Sequence, residues 1–308
     1  MRIDQAYEQL LFAPRWYHLP FIVLMLPLSL LYGALMWIRR VLASRQDFGI
    51  PIVSIGNLIV GGSGKTPFAI ALASGLEGVA IVSRGYGRKS KGLVEVSRNG
   101  NILATVEQSG DEPMLMALSL PRASVIVSED RIAAITLAKK QGAKLIILDD
   151  GFNRVGIKKF EVLLEPETIR NYLPFPAGPF REFWFTRKYA DLVAREGRDF
   201  TRMVEIDQPR SKMLLVTAIA NPQRLERYLS KEVVGKVCLR DHEYFDEGEI
   251  RKLMEEHGAD SILCTSKDRV KMQDFDLPIS ELKLKLNVED DIIKKIQSYI
   301  QSSLKSRF

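Results

Sequence analysis

The stretch Gly61-Gly62-Ser63-Gly64-Lys65-Thr66 follows directly on the apolar run 51–60 and opens a helical pattern over 66–76. A strand, a glycine-rich turn ending in Gly-Lys-Thr and a helix commit this part of the chain to an α/β architecture, because the turn works only when both elements aim it. At such a turn backbone N–H groups converge on phosphate oxygens, Lys65 supplies charge, and the Thr66 hydroxyl is a ligand for Mg²⁺. Gly61, Gly62, Ser63, Gly64, Lys65 and Thr66 are therefore the candidate phosphate-binding residues, with ATP and Mg²⁺ the expected reactant and metal. Pro67 falls in the first helical turn, where a missing N–H costs nothing. Counted back from Gly64, the usual loop has a glycine where this chain has Ile59, and the partition-ATPase variant has a lysine where it has Val60.

Further apolar runs at 79–83, 124–127, 144–148 and 160–164 alternate with helical patterns. Continuous rather than alternating hydrophobicity marks strands covered on both faces, hence a mostly parallel sheet between helices. A second set of strands is expected at 212–217, 233–238 and 261–265, with helices at 222–229, 247–257 and 290–303. The polar stretch 205–211 reads as a linker. The expected division is an apolar segment 1–45, a phosphate-loop domain 46–205 and a smaller α/β domain 206–308 closing over the active site. A content of 46% hydrophobic and 27% charged residues excludes a disordered chain. The net charge of +6 is spread along the sequence, so no nucleic-acid partner is expected, and Cys238 and Cys264 lack metal-ligand spacing.

Residues Trp16 to Ile38 contain no Asp, Glu, Lys or Arg, and Arg39-Arg40 follow at once. As a helix this segment is about 34 Å long, against a hydrocarbon layer of about 30 Å. Trp16, Tyr17, His18 and Trp37 stand where interfacial side chains belong, while Pro20, Pro27 and Gly33 interrupt regularity. The expectation is a membrane anchor or in-plane helix, with a buried core helix as the competing reading. No small-residue cleavage pattern of a secretory signal follows. If the helix spans, Arg39, Arg40 and Arg45 put the following domain on the cytoplasmic side.

The apolar run 145–148 ends in Asp149-Asp150-Gly151-Phe152, and a strand ending in carboxylates beside a phosphate loop suits a metal-holding role. The plainer reading is a strand-ending turn. Ser109-Gly110-Asp111-Glu112-Pro113 places acidic groups in what reads as a loop at a strand end, and transfer to a hydroxyl needs a carboxylate to accept its proton. His242, one of three histidines, is a candidate partner for Asp111; an isolated histidine is otherwise a surface or core residue. Arg84 in the glycine turn 83–89, Arg131 after Asp130, and Arg181-Glu182 are candidate substrate-side groups or solvated surface charges.

Taken in order, Gly56 to Thr66, Ser83-Arg-Gly-Tyr-Gly87, Gly110-Asp-Glu-Pro113, Asp130-Arg131, Asp149-Asp-Gly-Phe152, Leu173 to Glu182, Ile219-Ala-Asn-Pro222, Asp241-His242 and Thr265 to Lys271 resemble the tetraacyldisaccharide 4'-kinase family. The resemblance runs from the apolar segment to Lys271, and it accounts for Ile59, since that family's loop also lacks the first glycine. It implies a P-loop NTPase-like α/β fold in two domains with the active site between them. It implies transfer of the ATP γ-phosphate to the 4'-hydroxyl of a tetraacyldisaccharide 1-phosphate, a lipid A disaccharide precursor, giving lipid IVA at the cytoplasmic leaflet of the inner membrane. On it, Asp111 matches the proton acceptor and His242 its partner; Lys65 and Thr66 match the phosphate and Mg²⁺ contacts, and Asp149 and Asp150 the metal-side carboxylates. Arg131, Arg181 and Glu182 match active-site or substrate-side positions. The chain departs from the family pattern at Asn153-Arg154, at Ser266 and between Phe152 and Leu173. Competing readings are a membrane-associated phosphate-loop ATPase acting as a nucleotide-driven switch, and a kinase of a soluble small molecule.

Overall fold

The computed structural model describes residues 3–61 and 64–305, so Gly62 and Ser63 of the candidate loop lie outside the described residues. The chain forms two compact units: one takes residues up to Phe68, Lys144–Thr201 and those from Val288 on, the other Ala69–Ala143 and Arg202–Asn287.

In the first unit the strands Leu145–Asp149, Ile52–Gly56, Phe160–Glu165 and Leu192–Arg195 lie side by side in that order, all parallel. Every residue of Ile52–Gly56 and Leu145–Asp149 is buried, which is why both read as unbroken apolar runs. The register sets Ile55 against Asp149, so the acidic end of one strand stands beside the end of the strand that feeds the phosphate loop. Gly56 makes this juxtaposition possible: a Cβ there would lie 2.4 Å from the Cβ of Phe152. The helix Lys65–Ser74 begins one residue earlier than the sequence pattern suggests, directly at the loop.

The apolar segment forms a helix, Leu19–Val41, that continues through Pro27. Within Trp16–Val41 an 18-residue window reaches a mean hydropathy of 2.2, yet within the helix only Ser29, Gly33 and Arg40 are buried. The core-helix reading is thereby set aside. Those three residues recur at helical spacing on one face, which packs against the segment 175–185 of the same unit. The Ala177 N–H donates to Ser29 Oγ at 2.9 Å. Gly33 admits the Phe183 ring, whose atoms would lie 2.8 Å from an added Cβ. Tyr32 meets Phe175 and Trp37 meets Phe185 edge-on, at centroid distances of 6.3 and 6.0 Å.

The second unit holds the strands Asn101–Ile102, Val94–Arg98, Ser124–Val127 and Val79–Ser83 in that spatial order. The last two pair parallel, but Val94–Arg98 runs antiparallel to Ser124–Val127 and turns back into Asn101–Ile102. Its mixed Val-Glu-Val-Ser-Arg sequence is half-buried at one end, which hid it from a search for continuous apolar runs. The unit's other sheet orders Val233–Cys238, Met213–Thr217, Ser261–Thr265, Ile279–Val288 and Phe200–Asp207. Residues 205–207, polar enough to read as linker, continue that last strand. The helix Glu247–His257 has the ends its sequence announces: Asp246 accepts from Glu249 N, and Gly258 closes it at φ 60. Pro222–Tyr228 is a 3₁₀ helix rather than an α-helix, the tighter winding suiting a short connector.

Candidate active site

In the first unit the chain leaves the strand Ile52–Gly56 through Asn57, which is buried and donates from Nδ2 to the Ile59 carbonyl at 2.6 Å. Ile59, where the usual loop has glycine, is buried and bridged antiparallel to Phe180 in a cluster with Leu58, Phe152 and Leu163. An extended, packed position has no need of glycine, which is the physical reason the first glycine is absent here. Among the described residues of the loop, left-handed backbone appears further on, at Gly61 (φ 93) and Gly64 (φ 81). Lys65 Nζ donates to Asn57 Oδ1 at 3.2 Å and lies 3.5 Å from Asp150 Oδ1. Thr66 is buried in the first turn of the helix.

Asp149 ends its strand buried, and Asp150 turns the chain with φ 54, a left-handed conformation that a non-glycine residue rarely adopts. That turn aims the Asp150 carboxylate at Arg181, whose Nη1 donates to Oδ1 at 2.9 Å and Oδ2 at 3.0 Å. Burial pushes the Asp150 carboxyl up, but the positive charges of Lys65 and Arg181 outweigh it and hold the group below its ordinary 3.8. Arg181 is itself fixed, its N–H donating to the Leu58 carbonyl at 2.7 Å. Glu182, grouped with Arg181 in the sequence, is buried and turned the other way. Both of its oxygens take hydrogen bonds of 2.7 Å from Arg40.

In the second unit Gly110, at φ 87, breaks the short helix Val106–Ser109 from the next, Asp111–Ser119. The sequence placed Asp111 in a loop at a strand end; it is instead the first residue of a helix, where the N-terminal dipole favours a carboxylate. Both Asp111 oxygens contact His242 Nδ1, at 3.0 and 2.9 Å. His242 also has a left-handed backbone (φ 63), and its N–H donates to the Ala218 carbonyl at 3.1 Å. The Tyr86 ring lies 5.2 Å from the imidazole, and a Cβ on Gly87 would come within 3.1 Å of it, so that glycine makes room for the ring.

Two residues at these sites escaped the sequence reading as individuals. One is Asn57, whose signal was its place between strand and loop. The other is Lys267, whose Nζ lies 3.7 Å from Asp111 Oδ2, 3.3 Å from Glu112 Oε1 and 3.5 Å from Asp241 Oδ1. Burial lowers the Lys267 ammonium, but those carboxylates more than offset it, and the group is raised above 10.5. Burial pushes Asp111 up in turn, while its His242 hydrogen bond and the Lys267 charge bring it below 3.8. Asp111 is therefore an ionised carboxylate at neutral pH, able to take a proton. Asp268 braces the cluster from within: fully buried, it accepts from Thr217 Oγ1 at 2.6 Å, Thr265 Oγ1 at 2.7 Å and the Ala218 N–H at 3.1 Å. Of the remaining candidates in this unit, Arg84 is exposed, and Arg131 is buried with its guanidinium on the Ser128 carbonyl.

Among the described residues no cluster of three His, Cys, Asp or Glu side chains could hold a metal by itself. A hydroxyl at Thr66 and carboxylates at Asp149 and Asp150 are hard oxygen donors, the set that Mg²⁺ takes when phosphate and water complete its shell. A Gly-Lys-Thr loop beside an acidic strand end, in a chain that also carries an ionised aspartate held by histidine, defines a phosphate-loop kinase. Residues 21–302 match the family model for tetraacyldisaccharide-1-P 4'-kinase. The chain is 47% identical over 305 residues to the tetraacyldisaccharide 4'-kinase of Helicobacter pylori strain HPAG1, covering 98% of this chain and 97% of that one. It is 43% identical over 306 residues to the enzyme of that name from Aliarcobacter butzleri, with 96% of each chain covered. A crystal structure of apo-form LpxK from Aquifex aeolicus in complex with ATP superposes with a TM-score of 0.76 at 28% identity, covering 91% of this chain and 99% of that one. The chain belongs to the tetraacyldisaccharide 4'-kinase family.

Proposed function

We propose that this protein transfers the γ-phosphate of ATP to the 4'-hydroxyl of a tetraacyldisaccharide 1-phosphate, forming lipid IVA in lipid A biosynthesis. The observation that carries this reading is the buried Asp111 carboxylate with both oxygens on His242, a proton acceptor for which a nucleotide-driven switch has no use. In the reaction the sugar oxygen attacks the γ-phosphorus, its proton passes to Asp111, and the bond from the γ-phosphorus to the bridging oxygen breaks to release ADP. His242 orients Asp111 through Nδ1, and Lys267 keeps it ionised. Lys65, set by Asn57 and Asp150, and Arg181 offset the charge that develops on the phosphoryl oxygens. Thr66, Asp149 and Asp150 would hold Mg²⁺, which would supply neutralisation of phosphate charge. Arg84 and Arg131 are assigned to the substrate side through the family motifs alone.

The three-part division into 1–45, 46–205 and 206–308 belongs to the same proposal, with the last segment contributing His242. The substrate's acyl chains sit in a leaflet, and the exposed face of Leu19–Val41 gives the enzyme a way to dock there. The packing of Ser29, Gly33 and Arg40 against 175–185 supports a helix lying in one leaflet, at the cytoplasmic face of the inner membrane, over one that crosses it.

Full-length protein in detergent micelles, given Mg²⁺, γ-labelled ATP and the tetraacyldisaccharide 1-phosphate, is expected to yield a lipid labelled at the 4'-position. Label released as free phosphate without lipid product would overturn the kinase reading in favour of the ATPase switch. Label on a water-soluble sugar with none on the lipid would overturn the assigned substrate.

A further inference from the structure

We propose that Arg40, in the last turn of the apolar helix, is a positioning residue for the nucleotide site, clamping together the two segments that back the phosphate loop. Arg40 is buried, and its guanidinium makes three hydrogen bonds: two to Glu182, and one from Nη2 to the Phe152 carbonyl at 2.9 Å. It also lies 4.2 Å over the centroid of the Phe152 ring.

Each partner sits one step from the phosphate machinery. Phe152 closes the turn begun by Asp149 and Asp150, and it seats on Gly56, the last residue of the strand into the loop. Glu182 follows Arg181, which holds Asp150 and is tied by its own N–H to Leu58, while Val60 N–H donates to the Pro179 carbonyl at 2.9 Å. The stretch 179–181 is thus laid along 58–60, and Arg40 joins its end to the acidic turn.

The choice of residue is informative. A helix needing only to pack would place an apolar side chain here, since burying an arginine and a glutamate carries a desolvation cost that apolar contact avoids. Arginine's fixed fork reaches a carboxylate bidentately and a carbonyl at once, which neither lysine nor an apolar residue does. The Asp150 conformation at φ 54 is one that its surroundings must hold, and Arg40 supplies part of that hold through Phe152. Seating of the apolar helix is therefore coupled to the geometry that receives the nucleotide.

This inference rests on the reading of the loop as the ATP site, and its test is nucleotide affinity rather than lipid turnover. Wild type, Arg40→Lys and Glu182→Gln, each full length in the same detergent, are compared for binding of a fluorescent ATP analogue with Mg²⁺, for thermal melting, and for amide hydrogen exchange. Arg40→Lys is expected to melt as a folded protein and to bind the nucleotide about tenfold more weakly. Exchange should be faster over 149–154 and unchanged in the strand Phe160–Glu165, with Glu182→Gln behaving alike. Nucleotide affinity within about twofold of wild type in both folded variants would overturn the proposal. So would exchange raised uniformly across the unit, or failure of both variants to fold, since either result makes Arg40 merely structural. A wild type that binds Mg²⁺ and nucleotide but phosphorylates no lipid would sink the proposed function while leaving the Arg40 comparison readable. A wild type that binds no nucleotide overturns both.

Discussion

The Lys65–Asp150–Arg181 cluster of the first unit, proposed as the donor cluster, and the Asp111–His242–Lys267 cluster of the second, proposed as the acid–base cluster, share one device and differ in how it is encoded. Each turns on a non-glycine residue in left-handed backbone, Asp150 at φ 54 and His242 at φ 63. Each also sets a carboxylate below its ordinary value against the pull of burial, Asp150 by Lys65 and Arg181, Asp111 by His242 and Lys267. The donor cluster is assembled from the loop and the neighbouring strand end, set in register by one parallel pairing, with Arg181 the one group brought from a further segment. The acid–base cluster draws on four separate stretches, around Gly87, Asp111, His242 and Lys267. Phosphate binding needs a local arrangement of backbone donors and one charge, whereas tuning a proton acceptor needs several groups at fixed distances.

The largest expected effect separates the two clusters by function. Asp111→Asn should lower kcat by about 10²–10⁴-fold, the range of one acid–base contribution, while affinity for Mg²⁺ and nucleotide stays near wild type. Steady-state kinetics with direct nucleotide binding would check this, and equal loss of both quantities would show that the two clusters do not divide the work. A smaller effect is expected from Lys267→Met, which leaves Asp111, Glu112 and Asp241 without their shared cation. Turnover should fall about tenfold, and the acidic limb of the kcat–pH profile should move to higher pH, because Asp111 then holds its proton more tightly. An unmoved limb would assign Lys267 to structure alone.

The smallest expected effect is on stability. Asp111 is lowered from 3.8 in the folded protein, so its contribution is fully present above that pH and is lost as pH falls through the lower, folded value. The gap in melting temperature between wild type and Asp111→Asn should hold steady through neutral and mildly acidic pH and close only below the ordinary carboxylate range. A gap that instead opened with acid would mean that the His242 and Lys267 contacts favour the protonated carboxyl, the opposite sign.

Much of this was legible because the physics is local. Ile52–Gly56, Val79–Ser83 and Ser124–Val127 are buried along most or all of their length and so advertise themselves as apolar runs. Glu247–His257 carries its own cap residues, and Gly-Lys-Thr names its ligand by backbone geometry. Where burial is partial the signal fades, as at Val94–Arg98 and at residues 205–207 of the strand Phe200–Asp207. Glu182 shows the limit for charged groups. Adjacent residues in a motif point to opposite sides, so Arg181 meets Asp150 while Glu182 turns to Arg40, a residue at the end of the apolar helix.

The sequence by itself determined the α/β class, the phosphate loop and its lysine, the acidic strand end and the apolar helix, because each depends on residues within a few positions of one another. Only the tertiary structure decided that Asp111 opens a helix, that Lys267 joins it and His242, and that Ile59 is a packed bridge rather than a missing glycine. It also decided that the apolar helix is held by Ser29, Gly33 and Arg40 along one face. The reason is common to all four: hydrogen bonds, ion pairs and close packing between distant segments act over a few ångströms, and no local pattern records which distant residue will arrive within that range.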